Sequence, residues 1–143
     1  NGGKIGGAIT ANDPMAGGVI ARLKAAGVEG KVPVTGQDAS VEGLQNILLG
    51  FQAGTVYKDT NLEADAASKL AIALIQGDTA AADALVTGTV ADSVTGADVP
   101  SVLATPVWIT QDTVKDVIAD GFQSAADVCA GPVAKACTEF GVS

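Results

Sequence analysis

The chain has 143 residues, 48% of them hydrophobic, with a net charge of −8 and no histidine. That length suits one domain or a large piece of a two-domain protein, and it buries enough surface for a core without staples. The acidic balance, unrelieved by any cluster of Lys or Arg, argues against nucleic acid as a partner, and no run approaches the roughly 20 apolar residues that cross a bilayer.

Asn1-Gly2-Gly3-Lys4 leads directly into an apolar run, as expected of a fragment of a longer protein. Ile5 to Ala11 reads as a buried strand whose paired glycines imply close backbone packing. Asp13 is read as the cap of a first helix, with Pro14 at a position where no N–H is needed. Met15, Val19, Ile20 and Leu23 recur at helical spacing until Gly27. Val32 to Thr35 predicts a second strand with Gly36-Gln37-Asp38 as its exit loop. Ser40 caps a second helix carrying Val41, Leu44, Ile47 and Leu48 and ended by Gly50. Gly54 to Tyr57 is a third strand. Thr60 and Glu63 form a capping box for a third helix that runs to about Gln76. This alternation is a βαβ series, so the fold class is α/β with a parallel sheet flanked by helices.

The Ala-, Thr-, Asp- and Gly-rich stretch from Gly77 to Ala97 has weak periodicity and reads mostly as loop with room for a short hairpin. Ser101 to Ala104 and Val107 to Ile109 are strand-like, and Thr105-Pro106 between them is a candidate crossover between lobes. Thr110 caps a helix with Val114, Val117 and Ile118 that stops at Gly121. Ser124 to Cys129 and Val133 to Phe140 are two final short helices. Cys129 and Cys137 close a short loop across Gly131-Pro132, which suits a disulfide and an oxidising compartment; two unpaired thiols are the alternative. With no His and no further Cys, no zinc site is expected.

Ligands of open α/β sheets sit beyond the carboxyl ends of the strands. Asn12, Asp38 and Lys58 each follow one of the three parallel strands, so an amide, a carboxylate and an ammonium would meet at one sheet edge. Together they could donate to and accept from the hydroxyls of a sugar. The plainer readings are helix caps, turn residues and a solvated lysine. Trp108 could stack on a sugar face or pack at the crossover, and the crossover suits it better. Asp112/Asp116 and Glu63/Asp65 fall on helix surfaces as solvated charge. Without His, a G-x-S-x-G elbow, a P-loop or a G-x-G-x-x-G loop, the chain shows no catalytic machinery and no cofactor motif, and it reads as a non-enzyme.

Four segments together resemble one family. Ala11-Asn12-Asp13-Pro14-Met15-Ala16 resembles the A-N-D-x-x-A segment of pentose- and hexose-binding periplasmic proteins. Val34 to Ala39 (VTGQDA), Thr55 to Lys58 (TVYK) and Val99 to Pro106 (VPSVLATP) resemble segments of the D-xylose-binding branch, and Val114 to Phe122 is also similar to the family. The resemblance implies the carboxy-terminal part of a two-lobe, type I periplasmic-binding-protein fold, with sugar enclosed as the lobes close and an ABC transporter permease recognising the closed form. It implies that Asn12, Asp38 and Lys58 bind a monosaccharide, D-xylose or a similar one. The missing amino-terminal lobe, with the rest of the sugar contacts, would precede the chain.

On this reading residues 1–59 are a second-lobe segment with sugar-contacting strand ends. Residues 60–105 are a crossover packing with the first lobe, and 106–143 return to the second lobe and a disulfide-closed end. The expected location is extracellular or periplasmic, with a lipid anchor through the missing amino terminus left open. The competing function is a sugar-responsive effector domain of a LacI-type regulator, or a sugar sensor.

Overall fold

The structure, a computed structural model, describes residues 5–142, so the opening Asn1-Gly2-Gly3-Lys4 lies outside the described residues. Contacts divide the chain into two units, one of the residues up to Lys58 with those from Pro106 onward, the other of Asp59–Thr105.

The first unit opens with β1 (Ala8–Ile9), α1 (Asp13–Ala25), β2 (Val34–Gln37), α2 (Val41–Leu48) and β3 (Gly54–Tyr57). β1 pairs with β2 and β2 with β3, both parallel, setting Ile9 opposite Thr35 and Gln37 opposite Val56. Parallel neighbours need crossover connections, and α1 and α2 supply them. β1 is shorter than the run from Ile5 to Ala11, because Gly6 and Gly7 lose the most chain entropy on joining a strand. β2 starts two residues later than the pattern predicts, since Pro33 has no N–H to give the ladder. Gly36 and Gln37 therefore belong to the strand, and the exit loop begins at Asp38. Ser40 caps α2 as expected, accepting from the Gly43 amide at 3.1 Å.

The first cap differs from the expectation. Asn12, in an extended conformation, caps α1 by accepting from the Met15 amide at 3.0 Å. Asp13 is the first residue of the helix proper and is fully buried.

The second unit contains α3 (Thr60–Gln76), α4 (Thr79–Leu85) and an antiparallel hairpin of β4 (Gly88–Ala91) and β5 (Asp98–Ser101). Here too the cap lies one residue earlier than read. Asp59 accepts from the Asn61 and Leu62 amides at 2.9 and 3.4 Å, and Thr60 begins the helix. Aspartate is the stronger cap of the two, which displaces the box expected over Thr60 to Glu63. Helix α4 occupies part of the stretch from Gly77 to Ala97 expected to be loop. Its own cap, Asp78, accepts from the Ala81 amide at 3.0 Å.

The chain returns to the first unit as β6 (Val107–Ile109), antiparallel to β3, which completes the sheet order β1-β2-β3-β6. A 3-10 turn at Gln111–Thr113 leads into α5 (Val114–Ala119), with the Thr110 amide donating to Thr113 Oγ1 at 2.9 Å. Then come α6 (Ala125–Val128), a 3-10 turn at Gly131–Val133 and α7 (Ala134–Glu139). The last two helices bring Cys129 and Cys137 side by side, Cα atoms 5.8 Å apart, a separation a disulfide spans.

The core of this unit lies on one face of the sheet. Leu44, Ile47 and Leu48 of α2 pack with Tyr57, Ile109, Val114, Val117, Val128 and Val133. Each such side chain contributes about 1.5–3 kcal/mol when fully buried. Ala16 and Ile20 of α1 close over Val34. Ile9, Thr35, Gln37, Val56 and Trp108 share the opposite face by strand register. Among the described residues that face stays open, with Ile9 94% and Trp108 46% exposed.

Candidate functional site at the strand ends

Because β1, β2 and β3 run parallel, their carboxyl ends share one edge, and the three residues singled out from the sequence follow them there. Asp38 and Lys58 meet: Lys58 Nζ lies 2.9 Å from Asp38 Oδ1. Asn12 stands at the neighbouring strand end and, among the described residues, is bonded to neither. Its Oδ1 is engaged by the Met15 amide, which leaves the Nδ2 donor for other partners. The loop carrying Asn12 is fixed against β2. Thr10 Oγ1 donates to the Thr35 carbonyl at 2.6 Å, and Gln37 Nε2 donates to the Ala11 carbonyl at 3.2 Å.

Asp38 and Ala39 both have positive φ, 93° and 48°. Such conformations cost about 1–3 kcal/mol each in a residue with a Cβ and last only where the surroundings impose them. Here the surroundings do. The Asp38 amide donates to the Val56 carbonyl at 2.9 Å. The Ala39 amide donates to Thr55 Oγ1 at 3.3 Å, and the Ala39 carbonyl accepts from Gln123 Nε2 at 3.1 Å. The Ser40 amide donates to Asp13 Oδ2 at 2.8 Å. Bonds from β3, α1 and the segment before α6 thus hold three residues of loop.

Asp13 does more than support that loop. Its Oδ1 accepts from Gln52 Nε2 at 2.9 Å and from Thr55 Oγ1 at 2.8 Å, so one buried carboxylate gathers α1, the start of α2 and β3. A buried carboxylate is tolerable only when its oxygens are bonded in this way. The sequence pattern places Asp13 as a cap and gives Gln52 and Thr55 no role. Its partners lie 27 to 42 residues away, beyond what local spacing can signal.

On the open sheet face a groove of about 570 Å³ is lined by Ile9, Thr10, Gln37, Val56 and Trp108; Asn12, Asp38 and Lys58 are not among its lining residues. Trp108 packs its indole against Gly54, where a Cβ would overlap the ring.

The fold and this edge define a class, and residues 1–79 match the periplasmic binding protein domain family. The chain belongs to that family. It is 38% identical over 90% of its length to the D-xylose-binding periplasmic protein of Escherichia coli (strain K12), of which it covers 37%. It also superposes on a carbohydrate transporter solute-binding protein from Chloroflexus aurantiacus in complex with D-glucose. That match has a TM-score of 0.66 and 32% identity, covering 85% of this chain and 35% of the other. A myo-inositol binding protein from Caulobacter, bound to myo-inositol, matches with a TM-score of 0.58 and 28% identity over 82% of this chain and 34% of its own. The chain thus spans little more than a third of the length of these relatives. No helix among its described residues is long and apolar enough to cross a membrane.

Proposed function

We propose that the chain is the carboxy-terminal part of the substrate-binding component of an ABC sugar importer, with Asn12, Asp38 and Lys58 forming one side of a monosaccharide site. The observation that carries this reading is the Asp38–Lys58 pair, 2.9 Å apart at the shared strand edge. Two adjacent hydroxyls can meet such a pair together, one donating to the carboxylate and one accepting from the ammonium. Asn12 adds an amide donor from the next strand end. The relatives' names favour D-xylose, while glucose and myo-inositol in the superposing structures keep the proposal at monosaccharides and cyclitols of that size.

In this proposal the rest of the sugar's hydrogen-bonding shell comes from an amino-terminal lobe, to which residues 60–105 cross, and closure of the lobes presents the complex to a permease. Cys129 and Cys137 form a disulfide, consistent with a periplasmic or extracellular protein. Lipid anchoring outside this chain fits the same arrangement.

Titration of the 143-residue chain with D-xylose, D-glucose and myo-inositol, followed by amide shifts, tests the reading. Half a site is expected to bind with Kd of about 1 mM or weaker, roughly −4 kcal/mol, with shifts confined to the residues around Asn12, Asp38 and Lys58. Shifts centred elsewhere, or no response to any of the three, would count against the site. Binding at about 1 μM would mean that the chain holds a complete site and that the shared-site proposal is wrong.

A further inference from the structure

The geometry points to Asp13 as the residue that positions Asp38: its carboxylate clamps the strained loop after β2 from below. Its burial, its bonds and its neighbours converge on this. Asp13 is 0% exposed, yet no basic side chain pairs with it among the described residues; its partners are one backbone amide and two neutral side chains. Its Oδ2 takes the Ser40 amide directly. Its Oδ1 accepts a hydrogen bond from the Thr55 hydroxyl, which turns an oxygen lone pair of Thr55 toward the Ala39 amide 3.3 Å away. The two amides that follow Asp38 are therefore both held by one carboxylate, one directly and one through a hydroxyl.

Space for the carboxylate is built in. Gly36 on β2 and Gly43 in the first turn of α2 flank it, and a Cβ on either would overlap its oxygens. The side chain is thus fixed in position as well as bonded, with the amino end of α2 beside it, where a negative charge is favoured. A loop with two consecutive positive-φ residues would relax if these bonds were lost, and Asp38 would leave its place 2.9 Å from Lys58. Asp13 touches no ligand in this arrangement. It acts through Thr55 and the backbone, setting where a neighbouring carboxylate points.

Amide hydrogen exchange on the 143-residue chain tests the inference without any ligand. In Asp13→Asn, one acceptor oxygen becomes an NH₂ group. Exchange at Ala39 or Ser40, or both, is expected to quicken by about 10–100-fold more than exchange at amides inside α2 and α5, which follow the variant's overall stability. Equal acceleration of all amides would make Asp13 a general stability residue and overturn the proposal, as would no local change. Should Asp13→Asn fail to fold, Thr55→Val and Thr55→Ser decide instead. The first is expected to free the Ala39 amide selectively, and the second, which restores a hydroxyl, to protect it again; identical behaviour of the two overturns the proposal.

The bearing of this clamp on ligand rests on the reading of Asp38 as a sugar contact. If the unaltered chain shows no sugar response, the proposed function fails while the exchange result still judges the clamp. If sugar shifts persist unchanged in a variant whose loop has become unprotected, the clamp does not position Asp38 and the inference is wrong.

Discussion

With Lys58 and Asp38 35% and 49% exposed at their side chains, the pair between them is partly open to solvent, and such screened bridges contribute about 0–1 kcal/mol. Asp38→Asn is therefore expected to leave urea-denaturation stability within about 1 kcal/mol. The same substitution should weaken the sugar response by roughly tenfold or more, because hydrogen bonds to a charged group contribute about 1.5–3 kcal/mol. Comparable losses in both measurements would mean that the pair is structural. Asp13 should show the opposite balance toward folding. Asp13→Ala strips the acceptor from the Ser40 amide, Gln52 and Thr55 in a site closed to water, a loss expected to reach about 3 kcal/mol or more in the same urea measurement. The difference between these two acids also marks what the sequence could and could not reveal. The meeting of Asp38 and Lys58 was legible because each ends an apolar run, and strand ends collect at one edge. Asp13 reads locally as a cap because Asx-Pro is a strong cap signal. Its true partners are a loop amide, a glutamine and a threonine from other elements.

Among the elements, glycine positions divide by what surrounds them. Gly36→Ala and Gly43→Ala push a methyl into the Asp13 carboxylate and are expected to destabilise by about 1–3 kcal/mol, as overpacking does. Gly18, on α1 with nothing within 4 Å of where a methyl would stand, should respond with the opposite sign, gaining about 0.5–1 kcal/mol as alanine. Thermal unfolding of the three variants checks both signs. The β4–β5 hairpin carries a separate, pH-linked feature. Asp92 Oδ2 accepts from Thr95 Oγ1 at 2.6 Å and Oδ1 from the Val94 amide at 2.9 Å, and these bonds, the threonine's first, hold its carboxyl below the ordinary value of 3.8. The folded turn thus binds that proton less readily than the unfolded chain. Its stabilisation is present above the unfolded value and is lost as pH falls through the lower folded one. The Asp92 carboxyl carbon, followed by NMR, should titrate below 3.8 and return toward it in Thr95→Val. Helix α4 and this hairpin were poorly legible because Ala, Thr, Asp and Gly carry no apolar period. The first three strands were plain because Gly27, Ser40, Gly50 and Gly54 punctuate them.

At the scale of the whole molecule the two units differ in how much they bury. Within Asp59–Thr105 the buried hydrophobic residues are Ala73 and Ala82, while Leu62, Ile72, Leu74 and Ile75 of α3 are more than half exposed. The other unit holds the larger cluster around Leu44, Ile47 and Ile109. Hydrogen exchange in α3 and α4 should accordingly be faster than in α2 and α5, and unfolding should not be two-state. Coincident exchange in all four helices would contradict this. Reduction of the proposed Cys129–Cys137 bridge should cost the first unit about 2–3 kcal/mol, seen as a lower melting temperature with reductant than without. That β1, β2 and β3 run parallel could be inferred from alternation alone. The antiparallel β6 could not, since its pairing with β3 follows a connection whose own elements have no strong pattern. That last strand leaves the molecule with an optical property. Trp108 is its single tryptophan, seated against Gly54 and half open to solvent beside the groove. Emission from the chain therefore reports one place, and anything that settles over the bare sheet face will register as a blue shift from that lone indole.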